Sequence, residues 1–191
     1  MLMVVLVACR DNGGPVVPSA TVPTAPETTT TTNPFDVPPV IDAAYASRII
    51  DALDAITGDV VRLVVSSKTI PREAFDRIKA QYAHDQNVDR ELANYSRELS
   101  EGLSVYKPNP GNKKTRVTSV ITGSNTCIYV SVERDYSAVG VRGLTSRPEW
   151  VALWPLDRRR DPNGYNTTGW AYIYDGFPPQ GSQPERNPCF A

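Results

Sequence analysis

The chain has 191 residues, 20 basic and 21 acidic, for a formal net charge of −1. That balance excludes the broad positive field on which nucleic-acid binding relies. One histidine and three cysteines offer no zinc site of ordinary ligand spacing.

Met1 to Ala8 is almost wholly apolar, but it is far shorter than the roughly 20 residues a membrane-spanning helix needs. It also lacks the basic start of an export signal. The true start is therefore expected upstream of Met1, or the apolar region to be shortened. Leu6-Val7-Ala8-Cys9 resembles the lipobox of secreted bacterial lipoproteins. The resemblance implies cleavage before Cys9, with small side chains beside the scissile bond. It also implies diacylglycerol on the Cys9 thiol and an extracytoplasmic protein held at the cell membrane. The competing reading is a frayed apolar terminus with a stray cysteine.

If Cys9 carries lipid, Cys127 and Cys189 remain. An exported protein is expected to pair them. The bond would close a loop of about 60 residues, worth roughly 4 kcal/mol in a chain-entropy account. The alternative is two buried free thiols.

Residues 10–39 are rich in Pro and Thr. Such a segment cannot bury enough apolar surface to offset its ordering entropy, so a disordered tether is expected. Residues 40–191 then form a single domain, large enough for a real core. No later apolar run is long enough to cross a bilayer.

The domain begins helical. Tyr45, Ile49, Leu53, Ile56, Val60 and Val64 recur by threes and fours, with Arg48, Asp51 and Asp54 on the opposite side. Asp42 is an expected N-cap, and Gly58 is a position where this helix would kink or split. Thr69 as a cap and Pro71 in a first turn open a second helix through Phe75, Ile78 and Tyr82. Val88, Leu92, Tyr95, Leu99 and Leu103 form a third stripe, ended at Gly102.

After Lys113 the period changes to two. "TRVTSVITG", "CIYVSVERDY", "EWVALWPL" and "TTGWAYIYDG" read as four sequential strands. The class is α+β: N-terminal helices packed on an antiparallel meander. Helices followed by the long hairpin "VTSVITGSNTCIYVSVERDY" and the strand "NTTGWAYIYDG" resemble nuclear transport factor 2-like, cystatin-like domains. In lipoproteins of high-GC Gram-positive bacteria such domains often follow Thr/Pro tethers. The resemblance implies a cone, with a curved sheet of four or more strands around helices, a pocket between them, and frequent homodimers. The family's enzymes use pocket Asp/His pairs. No such pair matches here residue by residue, so no catalytic residue carries over.

Candidate sites are few. Trp150 and Trp154 share one face of their strand, and Trp170, Tyr172 and Tyr174 share one face of theirs. Facing out, they would make an aromatic platform for a glycan, a lipid or a partner protein; facing in, they are core. Arg158, Arg159 and Arg160 could hold an anion, although Asp157 and Asp161 flank them and a solvated turn is the plainer reading. Asp161, Asn163 and Asn166 hint at calcium without a full loop. His84 reads as a solvated residue, and the sequons at Asn94 and Asn166 as chance matches. No nucleophile elbow, phosphate loop or dinucleotide fingerprint is present, so no cofactor, metal or catalytic residue is expected.

The function expected is a membrane-anchored lipoprotein whose domain binds a small apolar ligand, a glycan or an envelope protein without catalysis. The alternatives are a pocket enzyme of the same fold using carboxylates such as Asp51 or Asp54, and a structural or exclusion role at the envelope. An interior cavity with two convergent buried carboxylates would favour the enzyme.

Overall fold

A computed structural model describes residues 33–141, 147–176 and 187–190, apart from the side chains of Arg147 and Tyr174. The lipobox (Leu6, Val7, Ala8), Cys9 and most of the tether lie outside the described residues. No helix among the described residues is long and apolar enough to cross a membrane.

Three helices precede four strands, giving an α+β domain: α1 (Ala43–Ser67), α2 (Arg72–Gln81), α3 (Asp85–Ser100), β1 (Lys114–Gly123), β2 (Ile128–Asp135), β3 (Arg147–Pro155) and β4 (Trp170–Gly176). The strands pair antiparallel in the order β1-β2-β3-β4. A parallel bridge from Tyr82 to Tyr172 adds a one-residue fifth strand beside β4.

Asp42 caps α1, its Oδ1 accepting from the Tyr45 amide at 2.7 Å. The helix then runs unbroken for 25 residues, so Gly58 does not split it. Instead Gly58 marks a close approach: a Cβ there would meet Asn112 Oδ1 at 2.0 Å. Lys68, with φ 55°, ends the helix in the left-handed region. Thr69 does not cap α2; Pro71 takes the N-cap position without a side-chain bond.

α1 packs on β1 and on α2, and α3 packs on α2. The core is the interlayer space between α1 and the sheet. Tyr45, Ile49, Ile50, Leu53, Val60 and Val64 meet Ile128, Val130, Val132, Val151, Leu153 and Trp170 there. Trp170 Nε1 donates to Tyr45 Oη at 3.1 Å, and Tyr45 donates to the Phe35 carbonyl at 2.9 Å. This chain of bonds satisfies two buried aromatic polar groups and ties residue 35 to the domain.

Register shifts around Thr118 and Ile121 on β1, and at Ile173 on β4, interrupt the ladders. A bulge of one residue bends its strand and exchanges its two faces. On β4, Leu153 opposes Tyr172 and Ala152 opposes Tyr174, so that Ile173 is skipped. Asn87 on α3 donates to the Ile173 carbonyl at 3.1 Å and fills the bond the ladder leaves open.

Cys127 and Cys189 are joined by a disulfide, with a Cα separation of 5.6 Å. It fastens residues 187–190 beside the β1–β2 hairpin, where Asn187 Nδ2 also donates to Thr122 Oγ1 at 2.8 Å.

Candidate functional site

The inward face of the sheet changes character along its length. At one end β2 and β3 present Ile128, Val130, Val132, Val151 and Leu153. At the other, two-residue periodicity brings Arg134 and Glu149 to the same face, and Thr115 pairs directly with Arg134 across the β1–β2 ladder. The bulge at Ile173 turns Asp175 toward this group. α1 supplies Asp54, one turn beyond Ile50 on the helix.

These residues form one buried network. Arg134 donates from Nη1 to Glu149 Oε2 at 2.9 Å and to Asp175, and from Nε to Thr115 Oγ1 at 3.2 Å. Thr115 in turn donates to Asp54 Oδ2. The other oxygen of Asp54 accepts from Tyr172 at 3.1 Å and lies 3.1 Å from Lys113 Nζ. Tyr136 donates to Glu149 Oε1 at 2.6 Å. Asp54 therefore does not belong to the solvated side of α1 with Arg48 and Asp51; it is 1% exposed. Hydrophobic stripe counting missed it because a buried acid with its own cations occupies the register of an apolar residue.

The electrostatics follow from this packing. Burial alone would raise the Asp175 carboxyl, but the Arg134 guanidinium and Lys113 ammonium outweigh that and hold it below the usual range. Desolvation likewise disfavours the Arg134 cation, yet Asp175, Asp54, Tyr172 and Glu149 keep it firmly protonated. The Tyr172 hydroxyl is pushed well up by burial and by Asp54, and stays a donor.

Above this floor lies a pocket of about 420 Å³, within the range of small-molecule sites, roughly 300–1,000 Å³. Thr57, Gly58 and Val61 of α1 form one wall. Glu91, Asn94, Tyr95 and Glu98 of α3 form a second, spaced i, i+3, i+4 and i+7, so they share one helix face. Tyr82, Tyr106, Tyr136 and Val139 close the sides, and Lys113 and Asp175 reach the lumen from the network. Burial raises the Glu91 carboxyl, Asp175 adds to the effect and Lys113 works against it. Burial, and then the neighbouring Glu91 charge, push the Tyr95 hydroxyl well above its usual range. The Val88–Leu92–Tyr95–Leu99 stripe is legible in the sequence; the polar stripe beside it has the same period, and nothing local marks it as a pocket wall.

The aromatic residues named from sequence do not make one platform. Trp170 and Tyr172 face the helices and are buried. Trp150 and Trp154 lie half-buried on the other face of the sheet, because Val151 and Leu153 are the residues that face the core. Trp150 rests against Tyr129 (5.8 Å) and Trp154 against His84 (5.3 Å), whose own position is exposed. The bulge at Ile173 breaks the two-residue register that had joined Tyr174 to Trp170 and Tyr172; the Tyr174 side chain lies outside those described.

The arginine triplet does not converge on an anion either. Arg158 donates to the Asn166 carbonyl, Arg159 to Asp157, and Arg160 to the Tyr82 carbonyl and Asp85. Asp161 accepts from the amides of Tyr165 and Asn166. Asn166 is buried and bonded to the Ala80 and Trp170 carbonyls. Asp161 and Asn166 make these contacts within their own loop, and no group of three or more His, Cys, Asp or Glu that could hold a metal exists among the described residues.

Comparison of the chain with protein-family models, with curated proteins and with solved structures finds no match in any of the three.

Proposed function

We propose that this chain is a lipid-anchored extracytoplasmic protein whose domain binds a small amphipathic molecule in the pocket between α1, α3 and the polar end of the sheet. Binding without reaction is favoured by one observation: the carboxylates on the pocket floor are already answered. Both oxygens of Asp54 accept hydrogen bonds, and Asp175 is held ionised by Arg134 and Lys113. A general base needs a free lone pair and a pKa near the working pH, and neither residue offers both. Asp51 is exposed and lines no part of the pocket. The lining mixes tyrosines and valines with ionisable groups, so the ligand is amphipathic rather than wholly apolar. The anchor and location rest on the Leu6–Cys9 pattern and on the Pro/Thr-rich segment behind it.

A second reading, a pocket enzyme, is favoured by the convergence of two largely buried carboxylates, Glu91 and Asp175, on one cavity. Glu91 faces the pocket with its carboxyl raised by burial, as a general acid or base requires. Turnover in that reading would depend on Glu91, not on Asp51 or Asp54.

Native mass spectrometry of the full chain, extracted from its own membranes, is expected to find a non-covalently bound small molecule. Asn94→Trp, which fills the pocket from α3, is expected to lack it. In parallel, 4-phenylbutanol is expected to perturb NMR signals of pocket residues in the unaltered chain and none in the tryptophan variant. A chain that emerges empty and binds the alcohol nowhere, or binds it equally in both forms, would overturn the reading.

A further inference from the structure

Three features of the pocket identify the chemistry of its ligand. The first is a charge balance that turns negative when Glu91 ionises. Around the lumen and its floor stand five acids, Asp54, Glu91, Glu98, Glu149 and Asp175, against three bases, Arg90, Lys113 and Arg134. Counting Arg97, which reaches Glu98 Oε1 at 3.2 Å from the surface, the count is five to four, and the one charge in excess is that of Glu91 once it ionises.

The second feature is an unanswered acceptor. Glu98 Oε2 is buried and has no hydrogen-bond partner among the described residues. A buried carboxylate oxygen without a donor is costly to the fold. The cost falls when a ligand brings an N–H to it, and the bond is strongest when the donor is charged.

The third is the lining. Tyr82, Tyr95, Tyr106 and Tyr136 surround the same space. Tyrosine rings attract a cation at their faces and an apolar chain by contact. Two of the three cations are engaged by carboxylates, and the third, Arg90, stands exposed at the edge of the lining. Lys113 lies 3.1 Å from Asp54 and 3.8 Å from Asp175, and Arg134 is shared among Glu149, Asp175 and Asp54.

Building on the pocket-binding reading, we infer that the ligand is an amphipathic amine, its ammonium group set between Glu91 and Glu98 and its apolar part against the tyrosines and valines. Glu91 couples this binding to pH. The groups facing it are Asn94, Tyr95 and Arg90 of α3, Lys113, Asp175, Tyr82 and Tyr106. Burial favours the neutral acid in the empty pocket, so amine binding strengthens as pH rises and Glu91 ionises.

Three probes with one skeleton test this on the full chain by isothermal titration: 4-phenylbutylamine, 4-phenylbutanol and 4-phenylbutyric acid. The amine is expected to bind about tenfold tighter than the alcohol, and the acid weakest, as a charge-assisted bond in a sheltered site requires. Glu98→Gln keeps the shape and removes the charge. It is expected to cost the amine about tenfold while leaving the alcohol unchanged. Glu91→Gln should flatten the pH dependence of amine binding, so the inference survives even if one variant fails to fold. An alcohol or acid that binds as tightly as the amine, or an amine indifferent to both substitutions, overturns the amine assignment and leaves the pocket reading standing. If none of the three binds, the amine assignment falls, and the pocket reading falls with it when the chain also emerges from its membranes empty.

Discussion

Arg134 on β2 donates to Glu149 on β3 at 2.9 Å, with each side chain only 1% exposed. The pair sits where the inward ladder stops being aliphatic, and Asp54 and Asp175 close on the same guanidinium. One cation thus joins α1, β2, β3 and β4 at the base of the pocket.

Arg134→Met should be among the most damaging single changes in the domain. It removes the one cation that three largely buried carboxylates share, and breaking such a cluster typically costs about 3–5 kcal/mol. Denaturant titration should show the midpoint falling accordingly, with Arg134→Lys intermediate. A loss below about 1 kcal/mol would mean that the carboxylates reach water and that the network is a surface feature.

Asp175 and Glu91 should give stability profiles of opposite sign. The folded pKa of Asp175 lies below its ordinary value, so its contribution is present above the unfolded pKa, about 3.9, and fades as pH falls through the lowered one. Asp175→Asn should therefore destabilise at neutral pH and progressively less in acid. Glu91 is raised, so its charge opposes folding above the folded pKa and has no effect below the unfolded one, about 4.3. Glu91→Gln should stabilise at pH 7, with the gain vanishing near pH 4. Unfolding curves across this range decide both, and parallel profiles for the two variants would contradict the assigned environments.

Cys189→Ser removes a crosslink between residues separated by 62 positions. Stability should drop by roughly 2–4 kcal/mol, and the reducing agent that weakens the unaltered chain should leave the variant untouched. Non-reducing peptide mapping should recover Cys127 and Cys189 in one fragment. Two alkylatable thiols in native material would refute the bond.

The anchor has its own test. Cys9→Ala should move the protein from membrane to soluble fractions, since two acyl chains or more are needed for stable attachment and none would then be present. Unchanged partitioning would remove the basis for an envelope location.

Local chemistry was enough to read helices, then a meander, from the sequence. The Asp42 cap, the α1 stripe from Tyr45 to Val64 and the alternation in β1 and β2 are short-range signals, set by backbone geometry and periodic burial. The same periodicities brought Glu91, Asn94, Tyr95 and Glu98 onto one face, although nothing local said that this face borders a cavity. The floor was decided elsewhere. Asp54, Arg134, Glu149 and Asp175 come from four different elements, and each alone resembles a solvated charge. Only packing reveals that each replaces water for the others, since a buried charge is tolerated where opposite charge and hydrogen bonds converge on it. The bulge at Ile173 is the sharpest instance: a single skipped residue on β4, bonded by Asn87 of α3, reverses the strand's faces and turns Asp175 inward. Strand periodicity cannot foresee that reversal, because the contact that fixes it is 86 residues away.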